Sequence, residues 1–175
     1  MIRSEDFRPR FTAWMDRAGF SVRDYGDGRV TLAPQGGEIV YFLGSAPDGW
    51  IRVTSSSRGA AEAWEFDAAT VEVVERYFTV DVGGTIRRAI GLPGDVRVPF
   101  LLEELAPGAE IKTLDDWEYS SVEELSLAGQ PLARFRYLSG RVHLAVEASH
   151  YCSAPLAQVQ ASFLDPEGKP LFGLM

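Results

Sequence analysis

Between Ala69 and Leu92 the apolar residues recur at helical spacing: Val71, Val74 and Phe78 stand at i, i+3 and i+7, while Glu72, Glu75 and Arg76 take other angles. This periodicity predicts an amphipathic helix with one buried stripe. Asp67 stands where an N-cap would, its carboxylate able to accept orphan backbone N–H groups. The Gly83-Gly84 pair predicts a break, since each glycine costs about 1 kcal/mol inside a helix. Ile86, Ala89 and Ile90 then begin a second short apolar face, ended by Gly91 and Pro93. The stretch reads as a helix, a glycine elbow and a shorter helix, and it carries scaffold rather than chemistry.

Ahead of it, Phe11, Trp14, Met15 and Ala18 form the stripe of a first helix, with Ser4 as a possible cap, Pro9 at its start and Gly19 at its end. From Phe20 to Ser57 the pattern changes to alternation around turn residues: FSVRDY, Gly26-Asp27-Gly28, RVTLAP, Gln35-Gly36-Gly37, EIVYFLGS, Pro47-Asp48-Gly49, WIRVTSSS. That predicts an antiparallel meander of four strands, and EAWEFDA supplies a fifth. After Pro93 the segment DVRVPFLLEELAPGAEIKTLDDWEY, interrupted by Pro99 and Pro107, reads as loop with short strands. SVEELSLAG, LARFRYLS and RVHLAVEAS read as three further strands. SAPLAQVQASFL is the third helix, with Pro155 in its first turn, and DPEG at Asp165 to Gly168 is a type I turn. Leu171 and Phe172 are expected to pack back on the core. The sum is an α+β fold: a single domain over residues 1–175, antiparallel sheet packed with about three helices.

Size and composition fit that picture. A chain of 175 residues with 46% hydrophobic and 24% charged residues can bury about 70% of its unfolded surface in one domain. No apolar run approaches the ~20 residues needed to span a membrane, and the charged start MIRSEDFRPRF lacks the apolar region of a secretory signal. A lone cysteine, Cys152, forms no internal disulfide. The expectation is a soluble cytoplasmic protein with no membrane partner.

Charge narrows the partner. The net charge of −8 disfavours nucleic acid, whose phosphates need clustered lysine and arginine. Between Glu103 and Glu124 stand eight acids (Glu103, Glu104, Glu110, Asp115, Asp116, Glu118, Glu123 and Glu124) against Lys112 alone, nearly the whole excess of the chain. Trp117 stands among them beside Tyr119. An aromatic ringed by charge has the composition of an interface anchor inside a polar rim, and core burial is the competing reading.

Motifs for chemistry are sparse. Two histidines, His143 and His150, accompany the single cysteine. On a strand His150 and Cys152 would share a face, but a half-buried histidine and a packed thiol outweigh a nucleophile–base pair. His143 alternates with apolar neighbours as a strand residue would. No HExxH, CxxC, EF-hand, GxSxG or P-loop spacing occurs, so neither metal nor cofactor is expected. The acid pairs read as solvated faces, and Ser55-Ser56-Ser57-Arg58-Gly59 reads as a turn before it reads as an anion site.

Three segments carry a resemblance. They are DGWIRVTSSSR (48–58), VVERYF with GGTIRRAIGLP (73–93) and SHYCSAPLAQVQASFLDPEGKPLF (149–172). Together they resemble the actinobacterial immunity protein 61 family of polymorphic-toxin systems. Its members share a strand with D-G-W and T-S-S, a helix with V-x-E-x-Y-F ahead of G-L-P, and S-H-Y followed by a D-P-x-G-x-P-L-F tail. The likeness covers most of the chain except Leu101 to Ala128. It implies a non-enzymatic antitoxin that binds a secreted toxin of the NAD glycohydrolase type one-to-one in the cytoplasm and occludes its NAD-binding cleft. The shared segments are scaffold and map no interface.

The interface is therefore expected on the acidic stretch, at Glu103, Glu104, Asp115, Asp116, Trp117, Glu118 and Tyr119, where negative charge would steer encounter with a basic cleft. The glycine-bearing loops Gln35 to Glu38 and Ala46 to Gly49 are a second choice. A small-molecule-binding or regulatory domain with anions near Ser55 to Arg58, and a hydrolase using Cys152 and His150, are the alternatives.

Overall fold

A computed structural model describes the backbone of residues 1–117, 120–136 and 143–175, and the side chains of all of these but 115–117 and 120. The chain divides into two compact units, Met1–Glu75 and Arg76–Met175.

The first unit begins with a 3-10 turn at Ser4–Asp6 and helix α1, Pro9–Arg17, where Pro9 takes the first helical position as its fixed φ and missing N–H favour. Phe11, Trp14 and Met15 are buried as the stripe predicts, and Phe7 stacks on Phe11 with ring centroids 5.3 Å apart. Five antiparallel strands follow: β1 Phe20–Asp24, β2 Val30–Pro34, β3 Ile39–Ser45, β4 Ile51–Ser57 and β5 Ala63–Ala68. Each pairs with the next, so the predicted meander stands. Gly28 and Gly49 hold φ of 87° and 86° at the tips of two hairpins, a region closed to most side chains.

Two buried carboxylates pin this unit, and neither is where the periodicity puts it. Asp67 is a residue of β5 rather than a helix cap. Fully buried, it accepts from Arg52 Nε at 3.0 Å, Arg52 Nη2 at 3.1 Å and Trp64 Nε1 at 3.0 Å. Glu75, assigned by its angle to a polar face, is also fully buried and takes the Arg8 backbone N–H at 2.6 Å together with the Arg8 guanidinium. A buried carboxylate is tolerated only with such partners.

Helix α2, Val71–Asp81, carries the predicted stripe, with Val74 and Phe78 fully buried and Val71 half-buried. Val82 separates it from α3, Gly83–Ala89. The glycine pair opens α3, and packing explains the first of the two: a Cβ on Gly83 would lie 2.4 Å from Phe163 Cδ1. The second apolar face is only partly there. Ile86 is buried, whereas Ala89 and Ile90 are exposed and Arg87 is the buried neighbour.

In the second unit the segment after Pro93 is more ordered than its prolines suggest. It holds β6, Val96–Arg97, a 3-10 turn at Leu102–Glu104, and β7, Ala109–Trp117, a nine-residue strand rather than a loop. β8, Ser120–Leu127, pairs with β7 and with β9, Gln130–Arg136. In the run RVHLAVEAS, Arg141 and Val142 lie outside the described residues, and the part from Leu144 is helix rather than strand. Residues 144–152 form α4, Leu144–Cys152, with Ala145, Ala148 and Ser149 buried at helical spacing and the Ser149 hydroxyl bonding back to Val146 O at 2.6 Å. α5 is Leu156–Leu164, and β10, Gly173–Leu174, pairs with β6. Five α-helices therefore stand among the described residues where about three are expected. The α+β class holds; the additional helices are α3 as a separate element and α4 in place of a strand. Phe172 packs inward as expected, its ring 5.9 Å from Phe163.

The Arg87 guanidinium is fully buried and, among the described residues, donates to backbone carbonyls: Gly94 at 2.9 Å, Pro93 at 2.9 Å, Asp165 at 2.5 Å, Pro166 at 2.7 Å and Phe163 at 3.4 Å. Removing it strands those acceptors and opens a cavity. Arg87→Ala is expected to cost about 3 kcal/mol or more of unfolding free energy in urea titration. Arg87→Lys, with three donors in place of five, should recover only part.

Candidate functional site

The acidic stretch spends much of its charge internally. Glu104 accepts from the Leu101 N–H at 3.0 Å, the Phe100 N–H at 3.1 Å and Arg97 Nη2 at 2.6 Å. The Leu101 N–H first, and then Arg97, hold its carboxyl below the usual range. Glu123 is buried against His143, Nδ1 to carboxylate 2.7 Å, and Glu124 bonds Arg134 Nε at 2.8 Å. Glu103 and Glu110 are exposed. The backbone of Trp117 pairs with Ser120 at the end of β7 and β8, whereas the side chains of Asp115, Asp116 and Trp117, and all of Glu118 and Tyr119, lie outside the described residues. Glu103 thus stands free on the surface, while Glu104 holds its loop.

The alternative candidates lose their chemistry. His150 and Cys152 lie on α4, where a two-residue offset turns them to different sides. His150 Nε2 is 2.7 Å from Glu104 O, and burial pushes the Cys152 thiol up to about 12. His143 precedes α4 instead of sitting in a strand. In the serine loop Ser55 donates to Glu65 at 2.5 Å, Ser56 to Ala60 O at 2.6 Å, and Arg58 pairs with Glu38 at 2.6 Å, so the donors an anion would need are already used. Of the glycine-bearing loops, Gln35 to Glu38 and Pro47 to Gly49 are exposed. Among the described residues no cluster of three or more metal-ligating side chains gathers, and no helix is long and apolar enough to cross a membrane.

Two features escape the sequence pattern. In the first unit Arg29 is held by Asp27 at 2.7 Å and Glu62 at 2.8 Å, with its guanidinium 4.5 Å from the Phe42 ring centroid and 5.9 Å from that of Tyr25. Thr54 Oγ1 adds a 2.6 Å bond to Glu62. Tyr25 is half-exposed, so a pre-ordered arginine–aromatic patch reaches the surface, a composition common at binding hot spots.

In the second unit an open groove of about 520 Å³ is lined by apolar Val80, Val96, Val98, Phe100 and Phe163 and by charged Asp81, Asp95, Arg97 and Glu147. Arg97 is committed to Glu104 and stacks 5.2 Å from the Phe100 centroid. Asp95 faces Arg88 at 3.6 Å. Burial pushes the Glu147 carboxyl up to about 7. The groove is assembled by tertiary contact from five separate segments, Met175 among them, which no local spacing announces.

Residues 14–171 match the family model described as Immunity protein 61. The chain belongs to the immunity protein 61 family. It is 36% identical over 170 residues to the "Immunity factor for TNT" of Mycobacterium tuberculosis, covering 92% of this chain and 89% of that one. The "Immunity factor for TNT homolog" of Mycobacterium bovis gives the same figures. The solved structure titled "Rv3902c from M. tuberculosis" superposes with a TM-score of 0.85 at 34% identity, over 97% of this chain and 95% of that one. Membership classes the chain as an immunity protein and not an enzyme, and it places the three sequence signatures on β4, on α2 with α3, and on α4 through the C-terminal segment.

Two outcomes follow for this immunity protein. With its thiol at about 12, Cys152 holds roughly one thiolate in ten thousand or fewer at neutral pH. Iodoacetamide at pH 7.5 should leave it unmodified on a timescale that alkylates free cysteine, as read by mass spectrometry. Glu147 makes the folded state the better proton binder between its ordinary value of 4.5 and about 7, so stability falls as pH rises through that window. Glu147→Gln should match the wild type at pH 5 and exceed it by about 2 kcal/mol at pH 8, the full linkage of about 3 kcal/mol being reduced by solvent in the groove. Denaturant titration at the two pH values reads the difference.

Proposed function

We propose that this chain is a cytoplasmic antitoxin that binds a cognate secreted toxin one-to-one and inhibits it by occluding the active-site cleft, with residues 1–175 acting as one immunity domain. The observation that carries this reading is 36% identity across 92% of the chain to a protein named for immunity to TNT, the tuberculosis necrotizing toxin. The family resemblance supplies the target class, an NAD glycohydrolase. Self-protection by occupancy requires a dissociation constant of about nanomolar or below. A cleft built for NAD phosphates is basic, and an acidic surface both speeds encounter and discriminates against acidic non-partners.

The contact surface we assign is the acidic stretch: Glu103 and Glu104 with Asp115, Asp116, Trp117, Glu118 and Tyr119. Trp117 is the anchor. Titrating the toxin's NAD hydrolysis with nanomolar protein tests the function. Stoichiometric loss of hydrolysis with a one-to-one complex on a sizing column is expected. A complex without inhibition would move the contact away from the cleft, and no complex would sink the antitoxin reading. Trp117→Ala should cost about 2 kcal/mol or more of affinity, seen chiefly as faster dissociation. Unchanged dissociation would move the interface elsewhere.

A further inference from the structure

The groove of the second unit combines an apolar wall with acidic groups and has no counter-cation to spare. Val80, Val96, Val98, Phe100 and Phe163 supply a surface suited to a methylene stem, and Asp81, Asp95 and Glu147 supply negative charge. Both nearby arginines are engaged: Arg97 bonds Glu104 at 2.6 Å, and Arg88 lies 3.6 Å from Asp95. No hydrogen bond or ion pair reaches the Glu147 carboxylate among the described residues. An anion would meet three carboxylates here. A purely apolar side chain would leave Glu147 buried without a partner, which is costly. A long side chain with an apolar stem and a cationic head satisfies both walls.

We propose that this groove seats a lysine or arginine side chain of the toxin partner, the stem lying along Phe100 and Phe163 and the head meeting Glu147. The inference rests on the antitoxin reading and adds a docking point to it. The groove adjoins the acidic loop through one contact chain: Glu104 bonds Arg97, and Arg97 lines the groove. A toxin surface basic enough to be steered by Glu103 would carry its basic side chains to this mouth.

The pH behaviour follows from the groups around Glu147. Asp81 faces the groove from α2, Asp95 and Arg97 from the β6 segment, and Tyr151, His143 and His150 belong to or flank its own helix. His143 is engaged with Glu123 and His150 with Glu104 O. With its carboxyl pushed up to about 7, Glu147 is largely protonated at pH 6 and must ionise to receive a cation, whereas at pH 8 it is ready. The wild-type affinity should therefore rise about tenfold from pH 6 to pH 8 relative to that of Glu147→Gln.

The test measures toxin affinity by surface binding for the wild type, Glu147→Gln and Glu147→Lys, each first shown by thermal melting to be folded. Glu147→Gln is expected to bind at least tenfold more weakly at pH 8, and Glu147→Lys at least a hundredfold. Pairing Glu147→Gln with alanine at each basic residue of the toxin in double-mutant cycles should reveal one residue whose loss is no longer felt. Wild-type binding unaffected by Glu147→Lys would overturn the docking point while leaving the antitoxin reading intact. Equal losses at pH 6 and pH 8 with no coupled toxin residue would overturn it too, by reducing Glu147 to support for the fold. No wild-type complex at all would remove both.

Discussion

The second unit depends on one buried cation. Among the described residues Arg87 has no carboxylate partner within bonding distance; five carbonyl dipoles meet it from two segments far apart in sequence, 93–94 and 163–166. A guanidinium suits this because its donors point outward in a fixed plane, so each carbonyl must come to a set place. Once those two segments are fixed, the chain ahead of β6 and the chain ahead of β10 leave from neighbouring points, and the Gly173–Arg97 and Leu174–Val96 pairs close. Asp165 is drawn into the same turn. The backbone N–H groups of Lys169 and Glu167 hold its carboxyl below the usual range, with Arg87 adding to the effect. That pairing forms one wall of the groove.

The same economy governs the acidic surplus. Counted along the chain, residues 103–124 look like an uninterrupted negative surface. In the fold Glu104, Glu123 and Glu124 each have a cationic or imidazole partner, and two of the three serve to fix loops and strands. Sequence charge measures what a segment contains, whereas surface potential depends on what is left unpaired. The partners Arg97, Arg134 and His143 all lie outside the stretch, so a local tally overstates its field. The electrostatic case for a basic partner rests on Glu103 and Glu110 and on the groove, where Glu147 meets an apolar wall.

Where one face is buried and the other wet, the residues spoke clearly: the β1–β5 meander, the α1 stripe and the α2 stripe all follow from periodicity. The failures share a cause. Asp67, Glu75 and Arg87 are charged residues in the core, and a pattern that sorts charge outward must misplace them. Their signal is tertiary, since Arg8, Arg52 and the carbonyls of 163–166 are their partners. Helix α4 hides in the sequence because Leu144-Ala145-Val146 is too short an apolar run to distinguish a strand from a helix. Only the buried set of Ala145, Ala148 and Ser149 decides it. β7 was hidden by Pro107 and by its acids, though Ile111 and Leu114 stand opposite Leu125 and Val122.

The family was legible for a reason that also limits what it shows. Gly83 meets Phe163, Arg87 meets the DPEG turn, and Ser149 bonds the Ala106 N–H at 3.1 Å. The signatures at 73–93 and 149–172 are therefore partners of one another in packing. Substitution at such packed positions costs the fold stability. An interface obeys a different constraint, complementarity to a partner, and it can change with that partner while the scaffold stays. The family likeness runs through the stretch from Leu101 to Ala128 as well, where buried Ala106, Val122 and Leu125 serve the core and exposed Glu103 and Glu110 do not, so likeness of scaffold maps no interface. In the antitoxin reading proposed above, specificity for one partner belongs to exposed residues released from packing, beside a groove whose walls the scaffold holds in place.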